Sequence, residues 1–388
     1  MSGSLSPEVG GIGPYTDPMR AGIGWAAATM AAMAAAAGAN AAPTGSVTLQ
    51  GVSCTSPQAC VAVGGSAAPP SPTTLAVKLQ GGAWQITSTP AVGASAELFG
   101  VSCPAPGTCV AVGGAAGGAF ALRLAGGVWK RMSVPAPDPS ASLYGVSCPT
   151  TDWCLAAGLA HTESRMFSDV FTGSSWRTVP TPVIPASILQ LNALSCASRR
   201  FCMAVGDSTV FGPRLSVHPV AVLFNGSVWR VVPVAAVGAG PSLRGVSCPV
   251  AGLCIAVGNS HFYTGSPGQQ LVMRYHAGRW AAMTAHGPTG TEPLAVSCTA
   301  PGACVAVGSL NLGSPLVERL AHGAWSIVSS QSPGPPTTVG NATIYDETLR
   351  SVACLTSAPC VAVGDDNGSP FSELIGRGRA SLLPVPAS

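Results

Sequence analysis

The stretch GVSCTSPQACVAVGG, residues 51–65, holds two cysteines six positions apart. The phrase returns six times. It reads GVSCPAPGTCVAVGG from Gly100, GVSCPTTDWCLAAG from Gly145 and ALSCASRRFCMAVG from Ala193. It continues as GVSCPVAGLCIAVG from Gly245, AVSCTAPGACVAVG from Ala295 and SVACLTSAPCVAVG from Ser351. The first cysteines, at 54, 103, 148, 196, 248, 298 and 354, follow one another at intervals of 45–56 residues. A period near that length with strand-like content marks propeller blades rather than helical solenoids. Beyond the N-terminal segment no sustained i, i+3, i+4 apolar stripe occurs, so helix is nearly absent.

All fourteen cysteines belong to the seven C-x5-C pairs. An even count at fixed spacing reads as a disulfide framework formed in an oxidising compartment. Zinc sites use tighter C-x2-C to C-x4-C clamps with a second ligand pair, which the repeats lack. Redox pairs favour C-x-x-C. The expected bridges are Cys54–Cys60, Cys103–Cys109, Cys148–Cys154, Cys196–Cys202, Cys248–Cys254, Cys298–Cys304 and Cys354–Cys360. Each closes a hairpin loop, with its Cα atoms expected about 5–6 Å apart.

Each repeat parses into four strands: LxGVSC (Leu98 to Cys103), CVAVG (Cys109 to Gly113), a variable apolar run (Thr74 to Gln80, or Pro219 to Phe224) and a strand opening at a tryptophan after a Gly-containing turn (Trp84 to Pro90). The tryptophans are Trp84, Trp129, Trp176, Trp229, Trp280 and Trp325; in the seventh repeat Ala380 takes the place, which predicts a weaker outer strand. The apolar runs are near-continuous, so both faces of each sheet are buried. Seven small sheets stacked radially satisfy this, and the predicted fold over residues 45–388 is an all-β, seven-bladed propeller with one disulfide per blade. The position three before each first cysteine is small (Gly51, Gly100, Gly145, Ala193, Gly245, Ala295, Ser351), and the position just before it is serine except at Ala353. Small residues suit strands crowded at an axis, which places LxGVSC innermost; the rival reading is the reversed phase, with the tryptophan strand inside.

The pattern resembles actinobacterial secreted proteins built from GVSC-x5-CVAVG…W repeats, from about residue 48 to 388. The resemblance implies an exported propeller. It transfers no catalytic residues, because that family implies no established activity.

The chain is 47% hydrophobic and 9% charged with net charge +3, against about 25% charged in an average soluble domain. That argues against disorder and leaves no basic surface for nucleic acid. Lysine occurs only at Lys78 and Lys130, and the other basic residues are arginine, a high-GC bacterial composition. Residues 1–42 read as an N-terminal extension plus signal peptide: Arg20 precedes an uncharged Ala-rich run that ends small-x-small at Ala39 to Ala41, and translation is expected to start at Met19. The rival reading is an uncleaved membrane anchor of about 20 residues. No other segment is long enough to span a membrane, and the expected product is a secreted monomer.

Spacing varies most in the loops after CVAVG and in Ser330 to Thr348, on one face, where binding residues of a rigid scaffold usually sit. The polar groups there include His161, Asp207, His261 and Asp365. Four residues before each first cysteine stand Gln50, Phe99, Tyr144, Asn192, Arg244, Leu294 and Arg350. These are expected around the axial mouth, where Tyr144, Asn192, Arg244 and Arg350 suit an anionic or sugar-like ligand. A metal site from His161, His218 and His261 with Glu163 or Asp207 is a rival to plain exposed loop histidines, and calcium at Asp365, Asp366 and Asn367 a rival to a plain turn. No metal or cofactor is assigned. The expected function is non-catalytic binding of an extracellular glycan or protein. The alternative is a carbohydrate-active enzyme, which needs two carboxyl groups about 5–9.5 Å apart across a cleft; no nucleophile elbow, H-E-x-x-H or Walker motif occurs. N-terminal sequencing of the exported product is expected to begin after Ala41, and a mature chain that keeps Trp25 would contradict the signal peptide.

Overall fold

The computed structural model describes residues 46–386, apart from the segments 68–72, 261–267, 286, 311–312, 336, 340–341, 345–346 and 356–358. They belong to one compact unit, Gly45–Ser388. Blade 1 comprises β1 (Val47–Ser56), β2 (Ala59–Ser66), β3 (Thr73–Gln80) and β4 (Ala83–Ile86). Blade 2 comprises β5 (Glu97–Ala105), β6 (Thr108–Ala115), β7 (Gly118–Ala125) and β8 (Val128–Met132). Blade 3 is β9 (Ser142–Thr150), β10 (Trp153–Ala160), β11 (Arg165–Phe171) and β12 (Trp176–Val179), with a 3-10 turn at His161–Glu163. Blade 4 is β13 (Ile188–Ser198), β14 (Phe201–Val210), β15 (Ser216–Phe224) and β16 (Trp229–Val231). Blade 5 is β17 (Ser242–Val250), β18 (Leu253–Ser260), β19 (Gln269–His276) and β20 (Arg279–Ala282). Blade 6 is β21 (Glu292–Ala300), β22 (Ala303–Ser309), β23 (Pro315–Ala321) and β24 (Ala324–Ile327). A short hairpin, β25 (Thr337–Val339) and β26 (Ala342–Ile344), precedes blade 7, which is β27 (Glu347–Ala353), β28 (Cys360–Asp366), β29 (Ser369–Ile375) and β30 (Ala380–Leu383). Every blade is a four-stranded antiparallel meander in sequence order.

The first strand of each blade touches the first strand of the next, and β27 returns to β1, so the LxGVSC strands surround the axis and the wheel closes. The tryptophan strands lie outermost: β4, β20 and β24 each bury only the indole and expose the flanking side chains. Between blades, second and third strands are buried on both faces. Leu155, Ala156, Val205 and Val222 are fully covered, as near-continuous apolar runs require. The tryptophans fill the seams toward the preceding blade. Trp229, for example, packs among blade 3 residues that include Trp153, Leu155 and Val170.

The small positions of the inner strand have two distinct jobs. A Cβ on Gly100 would lie 3.0 Å from the carbonyl oxygen of Tyr144, and one on Gly145 would lie 2.8 Å from Cβ of Leu194, so these glycines admit the neighbouring inner strand. The serine before the cysteine joins the blades. Ser53, Ser102, Ser147, Ser195, Ser247 and Ser297 each accept, on Oγ, the backbone N–H of the first cysteine of the next blade, at 2.9–3.0 Å. Ala353 cannot do this. Ser351, at the position where other blades carry glycine or alanine, accepts the N–H of Val52 at 3.2 Å instead and completes the ring.

All seven expected disulfides are present, one per blade. Their Cα–Cα distances are 3.9–4.2 Å, shorter than the expectation from sequence. Such distances belong to a narrow antiparallel pair whose members share no hydrogen bond, and blade 1, where no serine meets the first cysteine, has the same spacing as the others at 4.0 Å. Two further details depart from the sequence reading. The outer strand of blade 7, β30, is as long as those of blades 5 and 6, and it gains support from Ser329, whose carbonyl accepts the N–H of Ala380 at 2.9 Å. The hairpin β25–β26 was not anticipated.

Among the described residues no blade is completed by a strand from the opposite terminus, and closure between blades 7 and 1 rests there on side chains and a few backbone bonds. Val47 N–H reaches Gly368 O at 2.6 Å, Trp84 Nε1–H reaches Ser372 Oγ at 2.7 Å, and Leu49 and Val52 pack with Val361 and Val363. Ser351→Gly is therefore expected to destabilise the wheel by about 1–3 kcal/mol, the cost of a partly buried N–H left without a partner, and Ser351→Gly with Ala353→Ser to recover most of it. Thermal melts of both variants check this; equal losses in the single and double variants would contradict the serine ring.

Candidate functional site

In every blade the pairing of first and second strands skips one residue near the start of the inner strand. Leu49 pairs with Gly64 and Gly51 with Val63; the same step recurs at Leu98/Gly100, Leu143/Gly145, Leu191/Ala193, Leu243/Gly245, Pro293/Ala295 and Leu349/Ser351. The skipped residue is a β-bulge, which re-aims its side chain. The bulged residues are Gln50, Phe99, Tyr144, Asn192, Arg244, Leu294 and Arg350, all half-buried. The glycine of VAVG makes room for the bulge. A Cβ on Gly64, Gly113, Gly158, Gly206, Gly258, Gly308 or Gly364 would lie only 1.8–2.0 Å from the carbonyl oxygen two residues before the bulge.

The bulges deliver their side chains to the face where second strands end, and there they meet polar groups of the same or adjoining blades. The Phe99 and Tyr144 rings lie 5.0 Å apart at a 35° tilt. Tyr144 Oη and His161 Nε2 are 3.0 Å apart, with the two rings edge to face. Asn192 donates from Nδ2 to Leu243 O at 2.8 Å. Asp207 is buried and accepts Ser242 Oγ–H at 2.5 Å. Burial raises its pKa, opposed by the Ser242 hydrogen bond, the charge of Arg244 and Asn192. Arg350 forms an ion pair from Nε to Asp365 Oδ1. Gln50 donates from Nε2 to Glu97 Oε1 at 3.0 Å, and Thr48 reaches the same oxygen at 3.5 Å.

The structure thus groups the sequence-predicted residues as Tyr144 with His161, Asn192 and Arg244 with Asp207, and Arg350 with Asp365. His261 lies outside the described residues. His218 is an exposed residue of β15. Among the described residues no three His, Cys, Asp or Glu side chains converge as a metal site would require. The DDNG segment is the turn between β28 and β29, with positive φ at Asn367 (45°) and Gly368 (77°), and its Asp365 is engaged by Arg350. Glu97 and Ser242 escaped the sequence reading. Both stand six before a first cysteine, where every repeat carries a polar residue (Thr48, Glu97, Ser142, Gln190, Ser242, Glu292, Thr348), and that regularity was the available signal.

A second set of carboxylates lies in the seams instead of the mouth. Asp169, Glu318 and Glu373 occupy one position of the third strand, opposite Ala156, Ala306 and Ala362, where blades 1, 2, 4 and 5 carry Val77, Leu122, Val222 and Met273. Burial lifts Asp169 to about 6 against the Thr178 hydroxyl, and lifts Glu318 to about 7 against the Gln270 amide. Glu373 is raised by the same cause and accepts Ser330 Oγ–H at 2.6 Å and Gln331 N–H at 3.1 Å.

No protein-family model matches the sequence, and no curated protein does. Among solved structures the chain is similar to U3-55K, with 10% identity, TM-score 0.53, and coverage of 87% of this chain and 96% of that one. It is similar to YCF48 from Cyanidioschyzon merolae at 12% identity, TM-score 0.52, covering 85% and 96%. The fucose-specific lectin from Aleuria aurantia gives 12% identity, TM-score 0.50, covering 88% and 97%. At such identities the likeness concerns the fold alone. Among the described residues no helix is long and apolar enough to cross a membrane.

Asp169 and Glu318 hold their protons more tightly folded than unfolded. Their contribution to stability is therefore complete below the ordinary values of 3.8 and 4.5 and is lost as pH rises through about 6 and about 7. Asp169→Asn with Glu318→Gln is expected to flatten the decline in melting temperature between pH 4 and pH 7, measured by calorimetry; an unchanged slope would contradict the seam reading.

Proposed function

We propose that the protein is an exported, non-catalytic binding propeller of the GVSC-x5-CVAVG…W kind, and that its ligand is a glycan held at the axial mouth. The observation that carries this reading is the aromatic platform of Phe99 and Tyr144, set beside His161 and flanked around the mouth by Asn192, Arg244 and Arg350. A tilted aromatic face offers an apolar surface to the C–H face of a sugar ring, and planar donors around it match hydroxyl and carboxylate groups. Asp207 and Asp365 accept hydrogen bonds from Ser242 and Arg350, so they orient neighbours rather than stand ready to transfer protons. The Aleuria aurantia lectin, fucose-specific by its name, has the same kind of scaffold, which is compatible with a sugar site here and assigns no residue. Seven disulfides agree with an oxidising, extracellular setting.

A glycan array probed with the purified propeller tests the reading. Tyr144→Ala is expected to weaken binding to the best glycan at least about tenfold, a loss of about 1.4 kcal/mol, with its melting temperature unchanged within a few degrees. Undiminished binding by Tyr144→Ala, or release of sugar from chromogenic glycosides by the wild-type chain, would overturn it.

A further inference from the structure

We propose a second binding site, on the opposite face, for a planar aromatic group that carries a carboxylate. Six of the seven repeats place a tryptophan at the head of the outer strand, and its indole closes the seam to the preceding blade. The seventh repeat has Ala380, so the seam between blades 6 and 7 receives no indole. That same seam holds a cavity of about 750 Å³ on the side of the cysteine loops. The cavity is within the size range of small-molecule sites, roughly 300–1,000 Å³.

Its lining joins an apolar floor to cations. Val305 and Ile375 form the floor, and Arg319, His322 and Arg377 supply the polar edge, with no carboxylate among the described residues of the wall. Arg319 lacks the aromatic neighbour that Arg123 has. It occupies the position of Arg123 in blade 2, since both are paired with the valine after the second cysteine. Arg123 lies over the Phe171 ring of the next blade at 5.5 Å, whereas the residue matching Phe171 in blade 7 is the aliphatic Ile375. Arg319 donates from Nη2 to Gly376 O at 2.6 Å, and its buried Nε has no hydrogen-bond partner among the described residues. An incoming aromatic ring would restore both the missing filler and a π-face for this cation. An attached carboxylate would meet Nε of Arg319 or the exposed Arg377. The seam stands apart from the axial mouth, at the other end of the inner strands, so it neither needs nor supports the glycan reading.

The test uses the whole propeller and isothermal titration calorimetry. Probes are indole-3-acetate, its neutral amide, and a short peptide ending in tryptophan with a free carboxyl terminus. Indole-3-acetate or the peptide is expected to bind with a sub-millimolar Kd, and the neutral amide about tenfold or more weakly. The tighter of the two acids identifies the source, a free aromatic acid or a protein terminus. Ala380→Trp installs the residue used by the other six blades and is expected to abolish binding. Arg377→Gln, on the exposed rim, leaves the core alone and is expected to weaken binding about three- to tenfold. Absence of binding by both acids at millimolar concentration would overturn the site. So would equal affinity of acid and amide, or undiminished binding by a folded Ala380→Trp chain together with Arg377→Gln.

Discussion

A serine hydroxyl that accepts the backbone N–H of the next blade's cysteine is the bond on which the wheel depends. Antiparallel sheets satisfy their own amides inside a blade, but a narrow cysteine pair leaves one N–H pointing outward. Buried without a partner, such a group costs about 1–3 kcal/mol. The serine one blade earlier satisfies it, and by doing so sets the distance and rotation between neighbours. The disulfide therefore does more than close a short loop. It holds the pair in the narrow register that exports the N–H.

At the closing seam the bond is made by a different pair of residues. Blades 1 and 7 are each a continuous segment, so among the described residues the wheel has no strand shared between its ends. The one repeat that lacks the serine, at Ala353, carries Ser351 two residues earlier, and its hydroxyl takes up Val52 N–H across the closing seam. The exchange keeps the number of inter-blade hydroxyl bonds while moving one of them by a single step of the inner-strand face. With Trp84 donating to Ser372 across the same gap, the joint is built from polar contacts over an apolar layer.

The same repeat builds the functional face. A glycine opposite a carbonyl oxygen permits a bulge in each inner strand, and the bulge turns one side chain per blade toward the mouth. Because backbone geometry alone sets these seven positions, their identities are free to differ: two rings at Phe99 and Tyr144, amides at Gln50 and Asn192, guanidinium groups at Arg244 and Arg350, and a leucine at Leu294. A uniform scaffold with a variable rim is how one fold supports different ligands.

Much of this was legible in the chain. Cysteine spacing, a tryptophan in six of the seven repeats and the doubly buried strands specify the blade count and the disulfides, because each is a local property that recurs from blade to blade. The residues four before each cysteine were visible as a series, but not the bulge that aims them, since LxG reads as ordinary strand. Contacts between repeats could not be read at all: Ser195 with Cys248, Gln50 with Glu97, Ser242 with Asp207 join residues 35 to 53 positions apart, and Asp169 and Glu318 look like surface acids until a neighbouring sheet covers them. By itself the sequence determined what each blade is, through pairing within about fifty residues. Only the tertiary structure decided what lies between blades, because a seam is made by two repeats at once and its hydrogen bonds, buried charges and missing indole exist only after the wheel has closed.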